Sequence, residues 1–286
     1  MSVLLMTVWL TGCVQEELGS TPSPTGNGIR FTLMVPDVNF PSVSSRTMTG
    51  TGTAKKEDEI ETVDILVFDM SKTPAVYLEC VSATGVTQDL ADNSTVSFSA
   101  VLSPTTASTC IVVVANKELD NIVSGFTKGA TTKVEAMEKM LHTQTGKWLA
   151  DGSTTGGYTR IPMYGEKVIS KITPSMDPIT GINMKRMLAR IDIRNNSATS
   201  NFTVEEVYLA NYNTTGYIAP AWNTNGQVTE PAPDTPVLPT GSGKMTEEGD
   251  AIRYSVNGNT PYDGEIYTFE SLAAEDAGCL LYTSDA

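Results

Sequence analysis

Short runs of β-branched and aromatic residues, each bounded by turn residues, recur along the chain and confine it to a β fold. The clearest is Ile60–Asp69 (IETVDILVFD), where Val63, Ile65 and Val67 take one face and Leu66 and Phe68 the other. Ile29–Val38 (IRFTLMVPDV) reads as a first strand, with Ile29, Phe31, Leu33 and Val35 alternating onto one face. Further strands are expected at 75–82, 94–102, 109–116, 161–172, 186–195, 202–212, 251–256 and 265–270. One helix interrupts them. Thr132 and Glu135 form a capping-box pattern, and Val134, Met137, Met140 and Leu141 recur at helical spacing as a core-packing face. His142 ends this helix, where a cation suits the dipole, and reads as structural. Many short strands with one short helix predict an all-β fold of β-sandwiches rather than an α/β fold.

Composition narrows the function classes. The 286 residues are enough for two domains of ordinary size. A net charge of −14 argues against nucleic acid as a partner and against electrostatic adhesion to anionic lipid. His142 is the single histidine, which removes multi-histidine metal centres and a histidine-based triad. The four cysteines, Cys13, Cys80, Cys110 and Cys279, form no C-x-x-C pair, so no metal is expected. Cys80 and Cys110 fit either a disulfide or two buried thiols. Gly241–Lys244 (GSGK) fails as a phosphate loop, because Leu238 and Met245 stand where Gly and Ser or Thr are required. Gly50 and Gly52 do not lead from a strand into a helix, so a dinucleotide loop fails too. With no carboxylate pair marked as buried or perturbed, the expectation is a protein without catalytic residues or cofactor.

The N-terminus carries a different kind of signal. Leu4, Leu5, Met6, Val8, Trp9 and Leu10 make an apolar run too short for a bilayer, which needs about 20 residues. The run ends in Leu10-Thr11-Gly12-Cys13, which resembles the bacterial lipobox, although no Lys or Arg precedes it. That resemblance makes 1–12 a signal peptide and Cys13 the acylated new N-terminus, held on a membrane by its chains. Residues 14–28 are polar and rich in Pro, Gly, Ser and Thr, as a tether is, and Glu16-Glu17 resembles a surface-export signal. A loop is expected from Asn39 to Glu59, holding Arg46 among small polar residues, and another over 223–250. Residues 279–286 (CLLYTSDA) match one reading frame of the transposase end used in sequencing-library preparation. They are expected to be foreign, with the natural chain departing near Gly278.

Several segments in order resemble the fimbrillin (FimA/Mfa-like) family of Bacteroidetes, whose members build type V pili. They are the lipobox, Ser44-Ser45-Arg46-Thr47, IETVDILVFD, Cys110–Asn116 (CIVVVAN), Ile161–Glu166 (IPMYGE), Met184–Ile193 (MKRMLARIDI) and Tyr267–Glu270 (YTFE). The resemblance implies two tandem transthyretin-like β-sandwich domains with one short helix in the first. Residues 13–46 would then be lipidated tether and first strand, 47–172 the first sandwich, and 173–278 a truncated second. It also implies cleavage by an arginine-specific protease between Arg46 and Thr47, releasing the strand that carries Ile29, Phe31, Leu33 and Val35. The vacated groove would accept a strand from another fimbrial subunit, donated in this family by a C-terminal region. The function so implied is that of a fimbrial subunit at the cell outer membrane, lipid-anchored through Cys13 before processing. The alternative is a permanently anchored surface lipoprotein that binds glycan or host protein.

Overall fold

The computed structural model describes residues 28–35, 58–88, 95–148, 159–193, 205–230, 236–240, 251–255, 262–271 and 281–282. The first half contains β1 (Ile29–Met34), β2 (Val63–Asp69), β3 (Val76–Ser82), β4 (Thr84–Gln88), β5 (Thr95–Ala100) and β6 (Thr109–Ala115). Two short helices follow, α1 (Asp120–Val123) and α2 (Lys133–Lys139), and then β7 (Leu141–Thr143), β8 (Met163–Ile169), β9 (Ile179–Asn183) and β10 (Lys185–Arg186). All of these strands except β7 make a four-stranded sheet, β4-β5-β1-β9, and a five-stranded sheet, β10-β8-β6-β2-β3. Their inner faces share one apolar core. Ile29, Phe31, Leu33, Val96, Phe98, Ile179 and Ile182 meet Val63, Ile65, Val67, Ile111, Val113 and Met163 across it. The first half is therefore a β-sandwich.

Strand β2 shows why period-two patterning decides this architecture. Val63, Ile65 and Val67 enter the sandwich core, while Leu66 and Phe68 enter a second core on the other face of the same sheet. That second core is roofed by Ala136 and Met137 of α2, and by Ile218, Ala219, Tyr267 and Phe269 from the second half of the chain. With apolar layers on both faces, β6 is buried over its whole length.

The second half adds β11 (Ala189–Ile193), β12 (Glu206–Leu209), β13 (Thr215–Tyr217), β14 (Ile252–Ser255), β15 (Tyr262–Thr268) and β16 (Leu281–Tyr282). Strand β11 pairs with β15, and β12 lies between β14 and β16. A smaller core of Val207, Leu209, Tyr212, Ile252, Tyr254 and Ile266 joins the two sheets. Strand β13 pairs with β7 of the first half, Gly216 facing His142, so a ribbon ties the halves together.

The all-β architecture agrees with the patterning, and several particulars differ. Two short helices are present where one was expected; α2 has the complete capping box between Thr132 and Glu135. The expected boundary at Ile172 falls inside the first sandwich. Ile172 belongs to its core, and β9 and β10 beyond it complete its two sheets. Met184, Met187 and Ile191 then enter the three cores in turn, which makes 184–191 the junction. Cys80 and Cys110 are both free, and burial pushes their thiols up to about 12 and about 11. Among the described residues no helix is long and apolar enough to cross a membrane, and no cluster of metal-ligating side chains occurs.

His142 lies in β7 rather than at a helix end, and it carries no charge for a dipole to stabilise. Its ring packs 5.0 Å from that of Trp148 and 6.4 Å from that of Phe269. Burial, aided by the nearby Lys117 charge, lowers its pKa from 6.5 to about 4.

Two predictions follow from this packing. Lys133 is 2% exposed and its Nζ donates to Glu166 Oε2 at 2.6 Å, with Tyr164 donating to the same oxygen. Replacing Lys133 by Met leaves that carboxylate without its cation and is expected to cost about 2–4 kcal/mol in urea unfolding. The double variant Lys133→Met/Glu166→Gln should recover part of that loss. For His142, the unfolded chain binds a proton below pH 6.5 while the folded chain refuses it down to about 4. Stability is therefore expected to fall as pH drops through that window, and His142→Gln should show a shallower fall when urea midpoints are compared from pH 7 to 4.

Candidate strand-acceptor site

Strand β1 occupies an inner position of the four-stranded sheet, with β5 on one side and β9 on the other. Its two ladders are unequal. Along β5 the pairing is antiparallel and regular, running from Ile29↔Ala100 through Phe31↔Phe98 and Leu33↔Val96 to Met34↔Thr95. Along β9 it is parallel and shifts between Phe31↔Ile179 and Leu33↔Ile182. Gly181 lies in that irregular stretch at φ +72°, a conformation that other residues seldom adopt. The Met184 amide then donates to the Met34 carbonyl at 2.9 Å, extending the β9 side.

Alternation sends Ile29, Phe31, Leu33 and Val35 into the sandwich core, where all four are buried. The Phe31 ring stacks on that of Phe98, with centroids 5.0 Å apart and planes 8° from parallel. Arg30 and Met34 point outward, Met34 being 53% exposed. Gly165 of β8 lets the far wall close. A Cβ there would lie 2.7 Å from Met184 Sδ and 2.8 Å from Ile182 Cγ2, so any larger residue would push β9 away.

The four apolar residues predicted for the first strand are thus brought together on one buried face of β1. Cys13, Arg46 and Thr47 lie outside the described residues. The β9 wall was missed, because the shift at Gly181 spaces Ile179 and Ile182 by three and hides the strand's alternation. β1 itself is thus paired on two sides, with the apolar core beneath it. By contrast, the cleft of about 240 Å³ lined by Glu166, Lys185 and Glu230 is occupied by its own ion pairs, Lys133–Glu166 and Lys185–Glu230.

Phe31→Ala is expected to cost about 3–5 kcal/mol in urea unfolding, because it leaves a cavity against Phe98. Arg30→Ala should stay within about 0.5 kcal/mol.

The family profile of the major fimbrial subunit protein FimA matches residues 30–185, from the start of β1 to the start of β10. No curated protein matches the sequence. Among solved structures, a fimbrial assembly protein from Parabacteroides distasonis is similar at 13% identity and a TM-score of 0.43, covering 87% of this chain and 78% of that one. A candidate cell adhesion protein from the same organism is similar at 16% identity and a TM-score of 0.46, covering 88% and 73%. A candidate adhesin from Bacteroides ovatus gives 13% identity and a TM-score of 0.38, covering 87% and 69%. With a profile match over more than half of its length, this chain belongs to the FimA family of major fimbrial subunit proteins.

Proposed function

We propose that the chain is a structural subunit of a cell-surface fimbria, assembled when a strand of another subunit replaces β1. The observation that carries this reading is the position of β1, an inner strand joined to the rest of its sandwich through residues 36–57. That connecting segment contains Arg46, and the Arg46–Thr47 bond falls between the described strands β1 and β2 in sequence. Arg30, inside β1 and in register with Ser99 of β5, is the poorer substrate for a protease that needs extended, accessible backbone.

Energetics favour replacement over simple loss. Burial of four apolar side chains is worth about 1.5–3 kcal/mol each, together comparable to the whole stability of an ordinary domain. Without β1, the β5 and β9 edges would present unpaired amides and carbonyls beside an open apolar trough, a surface that attracts another strand. In this reading the precursor is exported as a lipoprotein acylated on Cys13, reaches the cell outer membrane, and is clipped by an arginine-specific protease. Its partners are other fimbrial subunits, and its role is structural rather than catalytic.

The test is brief digestion of the folded chain with an arginine-specific protease, read by intact mass under denaturing conditions. One clip after Arg46, with the remainder resistant, is the expected result. An uncut 36–57 segment, or cuts spread through both halves, would contradict the maturation step and favour a permanently anchored surface protein.

A further inference from the structure

From the unequal walls of the groove we infer that it selects its occupant by direction and by one side chain. The selected partner is an extended segment of another polypeptide, running as β1 runs, with an aromatic ring at the position now held by Phe31. This rests on the strand-acceptor reading above and adds what the accepted strand must look like.

Direction follows from the two ladders. The β5 edge is regular over every residue of β1, whereas the β9 edge offers three pairings interrupted by a shift at Gly181. Antiparallel pairing is the slightly stronger arrangement per residue, and here it coincides with the longer, unbroken edge. A strand entering the other way would be parallel to β5. It would also have to make its antiparallel ladder on the irregular edge, so it loses on both sides.

Side-chain selection follows from the floor. The positions of Ile29, Leu33 and Val35 are aliphatic and tolerate other aliphatics of similar volume. The position of Phe31 is different. It is 1% exposed, and its outer limit is the flat face of Phe98, parallel to it at 5.0 Å. An aliphatic side chain cannot fill a slot of that shape without leaving a void. The outward positions of Arg30 and Met34 place no demand on the occupant.

The test uses one clipped protein throughout and varies only the probe. The full chain, clipped in its 36–57 segment after Arg46 or at a site engineered there, is incubated with a fluorescent peptide of residues 28–36 (GIRFTLMVP). Unlabelled competitors are then ranked by fluorescence anisotropy. A peptide carrying Phe31→Ala is expected to compete on the order of a hundredfold more weakly. One carrying Arg30→Ala should stay within about threefold of the parent, and the reversed sequence PVMLTFRIG should compete at least as poorly as the alanine peptide. Equal competition by the Phe31→Ala peptide overturns the aromatic requirement, and equal competition by the reversed peptide overturns the direction. If the parent peptide itself never enters the clipped protein, the strand-acceptor reading fails and the selection falls with it.

Discussion

The fold of the first half depends on one strand being held from both sides. Strand β1 supplies a quarter of the four-stranded sheet, and its Phe31 ring lies flat on Phe98 near the centre of the sandwich core. Every neighbour gains from it: β5 a complete antiparallel ladder, β9 a parallel partner, and the facing sheet an apolar lid over Val63, Ile65 and Ile111. In sequence, β1 is joined to β2 through 36–57.

The five-stranded sheet has the opposite character. Strands β2 and β6 carry apolar residues on both faces, and both faces are covered, one by the sandwich core and the other by α2 and by Ile218, Ala219, Tyr267 and Phe269. The β7–β13 ribbon and the packing of His142 among Trp148 and Phe269 fasten the second half to this outer layer. The buried Lys133–Glu166 pair, with Tyr164, sits in the same layer and fixes the start of α2 against β8. One sheet is thus clamped on both sides, while the other contains β1, the strand proposed to be replaced.

Much of this was legible in the sequence because period-two alternation states which residues face the same way. It identified the inward set of β1, both faces of β2, and the capped start of α2. It did not reveal β4, whose short Thr84–Gln88 run has little apolar content, or β9, whose alternation is broken at Gly181. Without β9, the expected first strand had no second neighbour in its sheet. His142 was misplaced for a related reason: the helical spacing continues through Leu141, but the chain leaves the helix at Met140 and turns into β7. Pairing between distant segments, such as β7 with β13, leaves no local mark that one sequence could show.

The most direct test of the central claim is hydrogen exchange by mass spectrometry, on the intact chain and on the clipped chain from which β1 has been stripped. In the intact protein, amides of β1 and β5 should exchange together at the slow rate of the β2–β6 core. Once β1 is gone, β5 and β9 should lose protection while β2 and β6 keep theirs. Exchange of β1 amides far ahead of β5 in the intact chain, or protection of β5 and β9 unchanged after its removal, would contradict the claim that this sandwich is organised around a replaceable strand.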